Sequence, residues 1–123
     1  MTREQILKLE AGPELDRLVA EKVMGWKNHE DFNFGPGGQI WRNKRVWSPS
    51  TDIVAAMEVV NKLVSKYSFE LCSYIDILDN TRVQWLVDFV STRTIYRVVA
   101  PTVPLAICRA ALLAVEATQE KER

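Results

Sequence analysis

The sequence predicts an α+β fold in α/β/α layers, with an antiparallel sheet of three or more strands sandwiched between helices. Three observations carry this reading. The first part of the chain holds two segments whose apolar residues recur at helical spacing. A central stretch then changes to strict alternation, and a last apolar helix follows a Pro-containing break, "APTVP". At 123 residues the chain is the size of one domain, and a domain of that size buries a core without disulfide or metal staples.

Thr2 is placed to cap a short helix over residues 2–10. Gly12 and Pro13 then punctuate, and Pro13 suits the first turn of a second helix because its missing N–H would be unpaired there anyway. Glu14 and Asp16 put negative charge at the positive end of that helix dipole. Leu15, Leu18, Val19 and Val23 keep helical spacing and Gly25 is a stop, so this helix spans about 13–24. Residues 26–49 have the Gly and Pro content of a long loop. A third helix starts near Ser50, the expected cap, and Asp52 supports its N-terminus. Its predicted inward stripe is Ile53, Ala56, Met57, Val60, Leu63 and Val64.

After Lys66, Tyr67, Phe69, Leu71, Ser73 and Ile75 alternate with Ser68, Glu70, Cys72, Tyr74 and Asp76. "LDNT" at 78–81 has the Asp and Asn of a turn. Val83, Trp85, Val87 and Phe89 then alternate with Arg82, Gln84 and Asp88. A third run, 93–100, sets Arg93, Ile95, Arg97 and Val99 against Thr94, Tyr96 and Val98. Three such runs with short connections predict an antiparallel meander. The last helix, over about 103–118, is apolar nearly all round, with Arg109 and Glu116 as interruptions. Such a helix is buried on more than one side. It lies at the centre of the fold or faces a partner subunit, and a homo-oligomer is the expectation drawn from it. Arg109 is expected to pair with a buried carboxylate or to cap a subunit contact, with a ligand phosphate as the lesser alternative.

Lys plus Arg and Asp plus Glu are both 16, so the formal net charge is zero. Duplex nucleic-acid binders carry a positive excess, so the balance argues against that class and leaves room only for a local basic patch. Cys72 and Cys108 lie in apolar runs outside any C-x-x-C motif and read as buried free thiols, which suits a reducing cytoplasm. The charged start, "MTREQILKLE", has no signal-peptide apolar core. The apolar run 103–115 is interrupted by Arg109 and too short to cross a bilayer. A soluble intracellular protein with no membrane role is the expectation.

"ELDRLVAEKVMGW" (14–26), "WSPSTDIVAAMEVVNKL" (47–63) and "LAICRAALLAVEA" (105–117) resemble the three signature blocks of the phage ABA-sandwich domain family, small proteins of tailed phages and prophages. The blocks come in the family's order and, with the segments between them, the resemblance covers nearly the whole chain. It implies a sheet sandwiched between helical layers and a phage setting, and it brings no chemistry, since each block reads as a packing helix with its caps. Met57 departs from the pattern, where Trp is more usual, and residues 28–46 and the strands match no named pattern.

Nothing in the chain reads as a catalytic or metal site. "GPGGQ" (35–39) is followed by Trp41 and Arg42 instead of the Lys-Ser/Thr pair of a phosphate loop, so it reads as turn glycine. His29, Glu30 and Asp31 are adjacent, a poor spacing for one ion, and read as solvated loop; His29 is the lone imidazole, so a nucleophile–base dyad is not predicted. No cofactor is predicted. The remaining signal is an aromatic and basic set, Phe32, Phe34, Trp41, Arg42, Lys44, Arg45 and Trp47, together with Trp26. Aromatic faces stack on bases and Arg forks match phosphate oxygens. The opposing reading has Trp26 and Trp47 stapled into the core. Arg93 and Arg97, with Arg82, form either a solvated sheet edge or a basic wall beside the loop.

Three functions follow as expectations. The first is a non-enzymatic phage protein that binds a small anionic, nucleotide-like ligand, such as a nucleotide-derived immune signal sequestered in the host cytoplasm. The second is an interaction module on a host or phage protein, with the same side chains as a hot spot. The third and weakest is single-stranded nucleic-acid binding.

Overall fold

Thr2 opens helix α1 (Arg3–Leu7) through a capping box: the Gln5 N–H donates to Thr2 Oγ1 at 3.2 Å and the Thr2 N–H to Gln5 Oε1 at 2.9 Å. The computed structural model describes residues 1–75 and 83–122; the turn expected at 78–81 and Arg82 lie outside the described residues. Helix α2 (Pro13–Leu18) runs on into a π-helical turn (Val19–Val23), in which the Met24 N–H reaches the Val19 carbonyl at 3.0 Å. Gly25, at φ +73°, ends it, and the Trp26 N–H returns to the Ala20 carbonyl at 2.9 Å. Positive φ is where glycine avoids a side-chain clash, and this is a common helix ending.

The segment 26–49 corrects the expectation of an irregular loop. It folds into a small antiparallel sheet of β1 (Asn33–Phe34), β2 (Ile40–Arg42) and β3 (Arg45–Trp47). Asn43 and Lys44 both have positive φ, 51° and 66°, the requirement of a two-residue hairpin turn whose twist matches its strands. The strands are two or three residues long. That is too short for alternation to register in the sequence, so the Gly and Pro of the turns dominate its reading.

Helix α3 (Ile53–Leu63) is capped by Asp52, which accepts from the Val54 N–H at 3.1 Å. Ser50, the expected cap, is instead buried and ties α3 to α2. Its Oγ accepts from the Gly12 N–H at 2.9 Å, and its own N–H donates to Asp16 Oδ1 at 2.9 Å. The inward stripe is also shifted: Ala55, Ala56, Val59, Val60 and Leu63 are buried, whereas Ile53, Met57 and Val64 are exposed. "IVAAM" is apolar all round its first turn, so spacing alone left the phase open. Contact with helix α4 decides it, because small Ala55 and Ala56 allow a close approach.

The larger sheet is a meander of β4 (Ser68–Ile75), β5 (Val83–Val90) and β6 (Ile95–Ala100), antiparallel throughout. Its register sets Phe69, Phe89 and Tyr96 in one row and Leu71, Val87 and Val98 in another on the same face. Helix α4 (Val103–Glu122) lies along β5 and β6, and α1, α2 with its π turn, and α3 pack around the rest of it. Ala106, Ile107, Cys108, Ala110, Ala111, Leu112 and Ala114 are fully buried there. The α+β sandwich is thus as predicted, but the order of its layers differs: α4, not the sheet, is the central element, and it covers one face of the large sheet while the other helices pack on α4 itself. Its apolar circumference is consumed within the subunit, which removes the ground on which a homo-oligomer was expected.

The two polar interruptions of α4 both act as ties. Arg109 Nε and Nη2 donate to the Leu9 carbonyl at 2.8 and 2.6 Å, closing the end of α1 where a carboxylate or subunit partner was expected. Glu116 accepts from Lys22 Nζ at 2.8 Å and from the Met1 α-amino group at 3.3 Å. The Lys22 hydrogen bond holds the Glu116 carboxyl below the usual carboxylate range, against the opposing effect of burial. A carboxyl depressed in the folded state contributes stability above its unfolded pKa and loses it as pH falls through the folded value. Glu116→Gln should therefore lower the melting temperature most at neutral pH, and the gap to the parent should close in acid. A gap that does not change with pH would reject the assignment.

A candidate ligand groove between the small sheet and helix α3

Strand pairing sorts the side chains of the small sheet. Phe34, Ile40, Arg42, Arg45 and Trp47 share one face, and Asn33, Trp41 and Val46 share the other. On the first face Trp47 meets Trp26 edge-on, with centroids 4.6 Å apart, and its Nε1 donates to Glu58 of α3 at 3.1 Å. The Arg42 guanidinium lies 3.8 Å over the Trp26 ring and its Nε donates to the Asp31 carbonyl at 3.2 Å. These contacts hold the β2–β3 hairpin beside the start of α3. A groove of about 470 Å³ opens between them, walled by Arg42, Arg45 and Trp47 on one side and by Asp52, Val54 and Glu58 on the other.

The structure brings together only part of the predicted set. Arg42, Arg45 and the indole edge of Trp47 converge on the groove, and Lys44 is exposed at the hairpin tip nearby. Phe32 does not belong there: at 2% exposure it is a core residue, edge-on to Phe34 at 5.4 Å. Trp47 is likewise mostly buried, as the staple reading had it. Phe34 (43% exposed) and Trp41 (36%) are open to solvent, but on opposite faces of the small sheet, so they cannot clamp one ring between them. Arg93 lies in the β5–β6 turn, where Ser91 N–H meets the Thr94 carbonyl at 2.8 Å, and not on the strand. Arg97 projects from the face of β6 opposite Tyr96 and Val98, so away from α4, and forks onto Asp88 with two bonds of 2.9 Å. The small sheet packs on α2, which packs on the other side of α4. The basic wall beside the aromatic segment is therefore not formed. Asp52, Val54 and Glu58 were missed because the segment was read without the helix that faces it; the one signal was Glu58, the sole acidic residue within α3.

The sequence profile described as Phage ABA sandwich domain matches residues 17–112. The chain belongs to this family. A crystal structure of a phage protein from Bacillus cereus ATCC 14579, solved at 2.0 Å, superposes with a TM-score of 0.64 at 23% identity, covering 88% of this chain and 95% of that one. At that identity the likeness concerns the fold. No curated protein matches the chain.

The titratable groups of this phage ABA sandwich domain that burial perturbs lie away from the groove. Burial pushes the Cys108 thiol well up, with the nearby Asp16 charge adding to it. Burial also raises the Asp16 carboxyl, although hydrogen bonds from Ser50 oppose it. Both sit in the helical interior. Cys72 is free, as expected, but exposed, because β4 presents it on the sheet face opposite buried Val87 and Val98. His29, Glu30 and Asp31 are exposed, and Asp31 accepts the Lys27 N–H at 2.8 Å. Among the described residues no three His, Cys, Asp or Glu side chains gather as a metal site, and no helix is long and apolar enough to cross a membrane.

Proposed function

We propose that this phage protein is a non-enzymatic binding protein that takes a small nucleotide-like ligand in the groove between β3 and α3. The observation that carries the reading is the lining of that groove, where Arg42 and Arg45 from the hairpin, Asp52 and Glu58 from the other wall, and Trp47 come together at one cleft. A bare anion would gain nothing from the acidic wall. A nucleotide presents an anion for the arginines and hydroxyl or amino donors for the carboxylates, so both walls have work. The volume also falls within the usual range of small-molecule sites. In a phage setting such binding would sequester a nucleotide-derived host signal in the bacterial cytoplasm.

A thermal-shift screen with cyclic dinucleotides, cyclic trinucleotides and cyclic ADP-ribose isomers tests this. A ligand at a hundred times its Kd adds about 2.7 kcal/mol, which raises the melting temperature by roughly 10 °C in a domain of this size. Arg45→Ala should reduce affinity on the order of 10- to 100-fold, because a hydrogen bond to a charged group contributes about 1.5–3 kcal/mol. No shift with any member of the panel would move the reading to a protein partner. That second reading is favoured by Ile53, Val54 and Met57, apolar and exposed in the first turns of α3, where Val54 lines the groove. A pull-down from host lysate distinguishes it.

A further inference from the structure

The face of the large sheet turned away from α4 is unlike an ordinary solvated face. Its three strands present successive rows: Ser68, Val90 and Ile95; then Glu70, Asp88 and Arg97; then Cys72, Leu86 and Val99. Ile95 is 55% exposed and Val99 36%, and Leu86 and Val90 are only half-buried. The outer rows are thus predominantly apolar. The middle row is charged, and its order matters: acid on β4, acid on β5, base on β6. Asp88 is 2% exposed because the Arg97 fork lies on it, so the charges left at the surface are Glu70 at one edge and Arg97 at the other.

We infer that this face binds a second copy of the same chain, in a two-fold dimer whose axis runs parallel to the strands. The charge order selects both the partner and the axis. A rotation about an axis along β5 lays β4 of one copy over β6 of the other, so Glu70 faces Arg97 twice. The same rotation keeps each row on its own level, so Leu86, Asp88 and Val90 meet their own counterparts at the centre, each Asp88 carboxylate neutralised by the Arg97 fork of its own copy. An axis across the strands would instead put Glu70 on Glu70 and Arg97 on Arg97, which costs free energy in a contact that excludes water. An isologous interface must be self-complementary, and an acid-to-base gradient across three strands is so only about the first axis. A strongly anionic partner, a membrane surface or nucleic acid, would meet Glu70 at one edge.

The footprint places the contact in a size class. Strands of eight, eight and six residues at ~3.3 Å per residue and ~4.8 Å spacing cover roughly 400 Å² per copy. That is about 800 Å² for the pair, below the standard size of a specific interface and in the range of weak, transient contacts, so the dimer should form only at high protein concentration and come apart on dilution. It does not depend on the ligand groove, which lies on the other side of α4.

Sedimentation and light scattering of the full chain over about 1–500 µM test the inference. The parent protein should move from monomer to dimer across that range. Ile95→Lys and Val99→Glu, each at an exposed position, should stay monomeric at every concentration with unchanged circular dichroism. A short bismaleimide then reads the axis. In Val99→Cys it should link Cys72 of one copy to position 99 of the other, because those positions face each other. Within one copy Cys72 and Val99 are separated by Leu86 on the central strand, so dimer-sized product joined 72 to 99 reports the contact between copies. A parent protein monomeric at about 500 µM, a dimer indifferent to both charged variants, or product joined only 99 to 99 would each overturn it.

Discussion

Phe32→Ala is expected to cost about 3–5 kcal/mol of folding stability, the usual penalty for emptying a fully buried aromatic site. Phe32 is 2% exposed and meets Phe34 edge-on, and it anchors the segment just before β1. Removing it loses the ring's burial and leaves a cavity that two- and three-residue strands are poorly able to collapse around. Phe34→Ala and Trp41→Ala, at open positions, should each cost about 1 kcal/mol or less. Urea unfolding of the three variants makes the comparison directly. If Phe32→Ala cost no more than the other two, Phe32 would be a surface aromatic and the placement of the whole small sheet would be wrong.

Arg109→Met is the second large effect, expected at about 1.5–3 kcal/mol. Methionine keeps much of the stem's apolar contact and deletes both donors to the Leu9 carbonyl. The loss should be local as well as global, because those bonds close the chain after α1. Amide exchange should therefore accelerate at residues 6–9 before it does in α3. Burial already lowers the Arg109 pKa, with Glu10 opposing, so the guanidinium is held in a partly desolvated place where its bonds count for more than at the surface. A loss below about 0.5 kcal/mol would mean that water replaces the guanidinium on that carbonyl.

How far the fold could be read in advance differs by element. The large sheet was legible because runs of six to eight residues give alternation room to show. The run expected from Arg93 begins instead at Ile95, since the Ser91–Thr94 turn takes the earlier residues. The end of the helical run through α2 and its π turn was legible because Gly25 marks it. The small sheet was not: its pairing joins residues whose order carries no period, and it is held by packing on α2 and α3. Half of the candidate site was visible for the same reason. The guanidiniums of Arg42 and Arg45 announce themselves in a segment short of acids, while Glu58 becomes a wall of the groove only when Trp47 reaches its carboxylate.

By itself the sequence determined the α+β class, the three-strand meander, the burial of the last helix on more than one side and membership in a phage family. Each of these rests on local periodicity or on a block of adjacent residues, which are properties of the chain. Only the tertiary structure decided which face of α3 turns inward, that Phe32 plugs the core while Trp41 stays open, and that Arg97 serves Asp88 on a sheet face remote from the groove. Those depend on contacts between residues far apart in the chain, and no spacing along the chain encodes the distance between two surfaces.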